Sequence, residues 1–121
     1  MSTSITGNLV DTPTLRFTNN GIAVASFSVA VSSKKGEEEY TSYFDCSAWG
    51  SLAENFAASV EKGARVFVEG YITQDRFEKD GVKREKVVLT ANNAGPDLRW
   101  ATAVVTKTAP SGAKKSVEPD F

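Results

Sequence analysis

The side chains of this 121-residue chain that could do chemistry are flat rings and cations, while the usual catalytic groups are scarce. There is no histidine, so the commonest acid–base catalyst and transition-metal ligand is missing. Cys46 is the single cysteine, and with no imidazole to activate it, it reads as a small core residue rather than a nucleophile. The carboxylates Asp45, Glu69 and Asp75 stand in no motif that suggests acid–base work, and neither a Gly-rich phosphate loop nor a metal-ligand spacing occurs. The expectation is a non-catalytic protein with no cofactor and no metal. What the sequence offers instead is noncovalent: Tyr43, Trp49 and Phe77 as three separated rings able to stack on flat partners, with lysines and arginines around them to meet anions.

Short strands must position those rings. The first reads Ser4 to Val10, with Ile5, Gly7 and Leu9 on one face, before Asp11-Thr12-Pro13 interrupts it. Leu15-Arg16-Phe17 resumes an extended path, and Asn19-Asn20-Gly21 reverses it into a hairpin. From Ile22 to Ser32 the alternation is clear, with Ala23, Ala25, Phe27, Val29 and Val31 facing one way. A charged loop, Lys34 to Glu39, leads to a strand from Tyr40 to Trp49. There the smaller set, Phe44, Cys46 and Ala48, suits the interior, and Tyr43, Asp45, Ser47 and Trp49 face out.

A single helix follows. Ser51 is expected to cap its first turn with Glu54 reaching back, Leu52, Phe56 and Val60 form its apolar stripe, and Lys62-Gly63 ends it. Ala64 to Ile72 is the next strand, with Val66, Val68 and Ile72 inward. A long hairpin runs from Thr73 through Lys79-Asp80-Gly81 to Ala91, with Val87 and Leu89 returning to the core. Asn92 to Asp97 reads as a Gly/Pro loop, and Leu98 to Lys107 is extended again, as an edge strand or a clamp between subunits.

The class is therefore all-β with one short helix. The helix lies between the third and fourth main strands, the layout of an OB-fold, a five-stranded Greek-key barrel. Periodicity alone leaves a small sandwich as the competitor. The chain has room for one domain, residues 1–107, followed by a tail at 108–121 whose Ala109-Pro110-Ser111-Gly112-Ala113 stretch is too poor in apolar groups to fold.

Fourteen basic against fifteen acidic residues give a net charge of −1, so any affinity for a polyanion has to come from local arrangement. The candidate anion contacts are Arg16, Lys34, Lys35, Lys62, Arg65 and Arg76, together with Lys83, Arg84 and Lys86; Lys62, Arg76 and Lys35 stand foremost. A solvated mixed-charge surface explains them equally well, because Glu37, Glu38, Glu39, Glu78 and Glu85 are interleaved. No apolar run approaches the roughly 20 residues that span a bilayer, and the N-terminus has no signal-like pattern. With one cysteine and no possible intrachain disulfide, a cytoplasmic location is expected, with no membrane partner.

Several blocks carry a resemblance. Ile5-Thr6-Gly7-Asn8-Leu9, Asn20-Gly21-Ile22-Ala23-Val24-Ala25, Trp49-Gly50-Ser51-Leu52-Ala53-Glu54-Asn55 and Lys62 to Gly70 keep, in order and spacing, the pattern of the bacterial single-stranded DNA-binding proteins, the SSB family. Gly95-Pro96-Asp97-Leu98-Arg99-Trp100-Ala101-Thr102-Ala103 is similar to its actinobacterial branch, including proteins of actinophages, in which an extra strand clamps subunits together.

The resemblance implies sequence-independent binding and protection of single-stranded DNA in replication, recombination and repair, by a homotetramer. It places base stacking at Tyr43, Trp49 and Phe77 and an oligomer interface at Leu98, Trp100 and Thr102. Another OB-fold module, an RNA-binding chaperone or a primosomal single-strand binder, is the alternative. There are two departures. Lys34-Lys35 stand where many members carry a further tryptophan. In the tail, Glu118, Pro119, Asp120 and Phe121 resemble the acidic tip through which members dock replication and repair proteins, but only two acids remain and Asp120 separates Pro119 from Phe121.

Overall fold

The computed structural model describes residues 2–109. Six strands and one helix follow in the order β1 (Ser2–Leu9), β2 (Thr14–Phe17), β3 (Ala23–Lys35), β4 (Glu38–Trp49), α1 (Ser51–Ser59), β5 (Arg65–Lys79) and β6 (Val82–Pro96). One sheet runs β1-β5-β6-β4-β3-β2, and an added pairing of β1 with β3 closes five of its strands into a barrel, with β2 as the extra strand outside the ring. The closure rests on Asn8 opposite Ala30 and Leu9 opposite Val29. The β4–β6 pairing, Cys46 to Leu89 and Ser47 to Thr90, is the parallel one in an otherwise antiparallel sheet. This is the OB-fold barrel that the element order suggests, and the closed ring disposes of the sandwich.

Alternation fills the inside. Ala25, Phe27 and Val29 of β3, Cys46 and Ala48 of β4, Val66 and Val68 of β5 and Leu89 of β6 are all buried. The helix closes one end of the barrel, its Phe56 ring 4.5 Å from that of Phe27. Phe56, Val60 and Ala53 are buried there and Leu52 is partly so. Gly70 sits where a side chain has no room, since a Cβ would fall 1.9 Å from the Thr90 carbonyl oxygen.

Several local expectations give way. Gly50, at φ 68°, occupies the N-cap, and its carbonyl accepts the Glu54 N–H at 3.2 Å; Ser51 is the first helical residue instead. The helix stops at Ser59 because Val60 turns to extended backbone to bury its side chain. Gly63, with its positive φ, then serves the following loop, its N–H bonded to the Leu9 carbonyl at 3.0 Å. The stretch read as a charged loop at 34–39 is mostly strand, with Lys34 opposite Glu39 and Lys35 opposite Glu38 around a turn at Gly36.

The stretch read as a Gly/Pro loop at 92–97 is mostly strand as well. A bulge between Glu69 and Gly70 in the β5 register leaves Asn92 unpaired and lets β6 run on to Pro96. Ile72 and Val87 are exposed, because β5 and β6 carry on as a hairpin past the barrel end; Val88, on the opposite, groove-lining side of β6, is buried instead. After β6, Leu98–Trp100 turn and residues 101–109 carry no regular secondary structure in the single chain. No helix among the described residues is long and apolar enough to cross a membrane.

Candidate nucleic-acid interface

Directly opposed residues of antiparallel strands share a face, so the register assigns every ring and cation to a side of the sheet. On the outer side, β4 carries Tyr43, Asp45, Ser47 and Trp49. Opposite them β3 carries Ala30, Ser28, Ser26 and Val24. The same side of the β5–β6 hairpin carries Tyr71, Thr73, Asp75, Phe77 and Lys79, facing Thr90, Val88, Lys86, Arg84 and Val82. Between these elements and β2 lies a groove of about 560 Å³, lined among others by Arg16, Ser26, Phe27, Asp45, Trp49, Asp75 and Lys86.

The three rings are accessible: Tyr43 is 68%, Trp49 50% and Phe77 42% exposed. Trp49 stands in the groove itself and also borders a smaller hollow with Tyr71, Thr73, Asp75 and Asn92. Tyr43 lies further along β4, and Phe77 toward the tip of the β5–β6 hairpin beside Arg84, in a separate hollow. The rings therefore mark a track along one face rather than a single pocket.

The cations divide by face. Arg16 lies on β2 at the groove wall, its guanidinium donating to the Ser26 hydroxyl at 3.1 Å. Lys86 reaches Asp45 at 3.4 Å inside the groove. Lys34 shares the Tyr43 side, as Arg84 shares the Phe77 side. Lys62 follows the helix at the rim, its backbone N–H bonded to the hydroxyl of Thr12, a groove-lining residue, at 3.0 Å. Lys35, Arg76 and Lys83 lie on the opposite side of their strands, facing Glu38, Glu85 and Glu78, and Arg76 is 3.5 Å from Glu85.

Arg65 is engaged elsewhere. Its Nε donates to Asp97 at 2.7 Å, and its guanidinium lies 4.8 Å from the centre of the Trp100 ring. Arg99 lies 5.0 Å from the same ring. Sequence reasoning passed over Arg99, Tyr71 and Lys79. Tyr71 and Lys79 had a usable signal, because they share parity with Phe77 on one strand. The expected interface residues Leu98 and Trp100 are exposed at 58% and 72%, and Thr102 is exposed too. Glu118, Pro119, Asp120 and Phe121 lie outside the described residues.

Cys46 is buried, its thiol donating to the Phe44 carbonyl at 3.6 Å. Burial, with help from the Asp45 charge, pushes its pKa up to about 12. A thiol held protonated in this way is a packing group and a poor nucleophile. Tyr40, on the opposite side of β4 from Tyr43, has its hydroxyl pKa raised by the hydrogen bond it gives Glu38 at 2.5 Å and secondarily by desolvation.

Comparison with known proteins follows the same lines. The sequence pattern of the single-strand binding protein family matches residues 1–96. Single-stranded DNA-binding protein 2 of Streptomyces coelicolor is 42% identical over 117 residues, covering 90% of this chain and 59% of its own length. The single-stranded DNA-binding protein of Mycobacterium tuberculosis is 40% identical over 117 residues, covering 90% of this chain and 71% of its own. That of Paenarthrobacter nicotinovorans is 37% identical, with 90% and 69% covered. This chain thus spans about three-fifths to seven-tenths of the length of these actinobacterial relatives. A family match across the whole barrel, on a chain whose rings track one outer face of that barrel, makes this chain a member of the single-strand binding protein family.

Proposed function

We propose that this protein binds single-stranded DNA along the outer face of β4 and the β5–β6 hairpin, holding it by stacking bases on Trp49, Phe77 and Tyr43. The observation that carries this reading is the shared face of the three exposed rings. Unpaired bases present π-faces to any ring, so stacking tolerates sequence. Phosphates meet Arg16, Lys62 and Arg84, on that side or at its rim, while Lys34 and Lys86 stand on the same side matched by Glu39 and Asp45. Lys35, Arg76 and Lys83 face acids on the other side and contribute little. The family is one of non-catalytic binders, and protection of exposed strands during replication, recombination and repair, in the cytoplasm, follows as the role.

Self-association completes the reading. Val104 and Val105 are 96% and 89% exposed on a segment without partners in the sheet, which suits a clamp with Leu98, Trp100 and Thr102 between copies in a homotetramer. Glu118, Pro119, Asp120 and Phe121 are the proposed hook for replication and repair proteins, on the strength of their acidic and aromatic residue types.

A titration with oligo-dT tests the central claim. In a Trp100→Phe background the fluorescence of Trp49 falls on binding, and light scattering of the wild-type chain with oligo-dT gives four chains per complex. Trp49→Ala weakens binding by about 5- to 150-fold, the loss of one stacked base at the magnitude general to this class of binder. Unchanged affinity in that variant overturns the proposal.

A further inference from the structure

Tyr71 is a fourth ring on the outer face, besides Tyr43, Trp49 and Phe77. It is 42% exposed, as much as Phe77. Among the described residues its side chain has no hydrogen bond, and neither it nor Trp49 lies against another ring. A bare ring on a sheet surface is ordinary when it stands alone. Tyr71 stands with Trp49, the two bordering one hollow of about 480 Å³.

The register sets the two rings apart across small residues. Ser47 of β4 is opposite Thr90 of β6, and Thr90 is opposite Tyr71 of β5, so these three stand in line across the sheet. Trp49 lies two residues beyond Ser47 on the same face of β4. A planar group in contact with a ring on each side needs about 7–8 Å between the rings, and strands two places apart lie about 10 Å apart. Leaning toward each other, the rings hold one such group; two would need about 11 Å or more.

The floor is low and has no polar need of its own. The Thr73 hydroxyl donates to the Val88 carbonyl at 3.3 Å and lies 3.2 Å from the Thr90 hydroxyl, and Ala91 beside them is buried. Hydroxyls satisfied among themselves ask nothing of an occupant, which is then held by the faces of its ring. We propose that Trp49 and Tyr71 form a sandwich for one unpaired base, Tyr71 covering the face of the base that Trp49 leaves open. This rests on the single-stranded DNA reading above and gives its central ring a second wall. Stacking on two faces tolerates sequence as stacking on one does.

Anisotropy titrations with labelled oligo-dT test it on the full chain and on Tyr71→Ala, Tyr71→Leu and Tyr71→Phe. Tyr71→Ala weakens binding by about fivefold or more, the loss of one stacked face. Tyr71→Leu weakens it as well, because it keeps apolar bulk without a π-face, and Tyr71→Phe binds as the wild type does. Trp49→Ala and Tyr71→Ala act on the same base, so the double variant loses less than the product of the two single losses. Tyr71 is exposed, so the variants keep the wild-type circular dichroism. Wild-type affinity in Tyr71→Ala, or single losses that multiply, overturns the sandwich, and a continued loss in Trp49→Ala leaves the single-strand reading intact. A smaller assembly of Tyr71→Ala in light scattering assigns the ring to a contact between copies and overturns the sandwich too. Failure of the wild type to bind oligo-dT overturns that reading and this inference with it.

Discussion

The two hairpins that leave the barrel are of similar length and opposite design. At the tip of β3–β4, charges are matched on both sides of the ribbon: Lys34 faces Glu39 on the outer side and Lys35 faces Glu38 on the other. At the tip of β5–β6, charges are sorted. Arg76 faces Glu85 and Glu78 faces Lys83 on the back, while Phe77, Lys79, Arg84 and Lys86 occupy the outer side. The first arrangement stabilises a hairpin and, with Glu37 in the turn, leaves its tip one charge negative. The second places its tip acids, Glu78 and Glu85, behind the ribbon and presents Phe77, Lys79 and Arg84 in front, with Asp75 across from Lys86 as the acid on the front side nearer the barrel. A near-neutral chain can in this way hold an anionic strand, because what matters is the face on which the cations stand and whether acids stand with them.

The largest effect that breaks this comparison is expected at the ring. Phe77→Ala should weaken oligonucleotide binding by about 1–3 kcal/mol, while Tyr40→Ala, on the inner side of the other hairpin, changes affinity by less than twofold; equal losses in a filter or anisotropy titration would dissolve the distinction between the arms. Next comes charge. Arg84→Gln should lower the slope of log affinity against log salt by about 0.7, the value for one contact to a single strand, whereas Arg76→Gln, which removes a cation already matched by Glu85, leaves the slope as it was. A slope that drops in both would mean that the strand touches both sides of the ribbon.

How much of this could be read from residues alone varies with the kind of information needed. The alternation in β4 sufficed to put Tyr43 and Trp49 on one face, since parity is a local property. The turn at Asp80-Gly81, both at positive φ, was likewise written in residue types. Burial was less legible. Ile72 points to the side that is interior elsewhere along β5, but a strand pattern records direction, and nothing in it says that the barrel has ended and no opposing strand remains to cover the side chain. The bulge at Asn92 is a second case: Asn-Asn and Gly-Pro resemble a break, and only pairing with β5 converts them into a continued strand. The fate of Arg65 is a third, because its commitment to Asp97 and Trp100 depends on residues more than thirty positions away. For the same reason the charged stretch at 34–39 resembled a loop until its cross-strand partners were known.

The smallest effect sharpens the comparison most. If matching is what silences the β3–β4 tip, removing an acid from its outer side should give it a share of the binding. Glu39→Gln leaves Lys34 unopposed on the side that carries Tyr43. Exposed pairs of this kind are worth about 0.2–1 kcal/mol, so binding at low salt should strengthen by no more than about fivefold, with a steeper salt dependence. The control is Glu38→Gln, which frees Lys35 on the other side by the same change in net charge. A gain confined to Glu39→Gln means that face decides; an equal gain in both means that the strand senses only total charge, and the sorting of charges on β5–β6 would then lose its functional meaning.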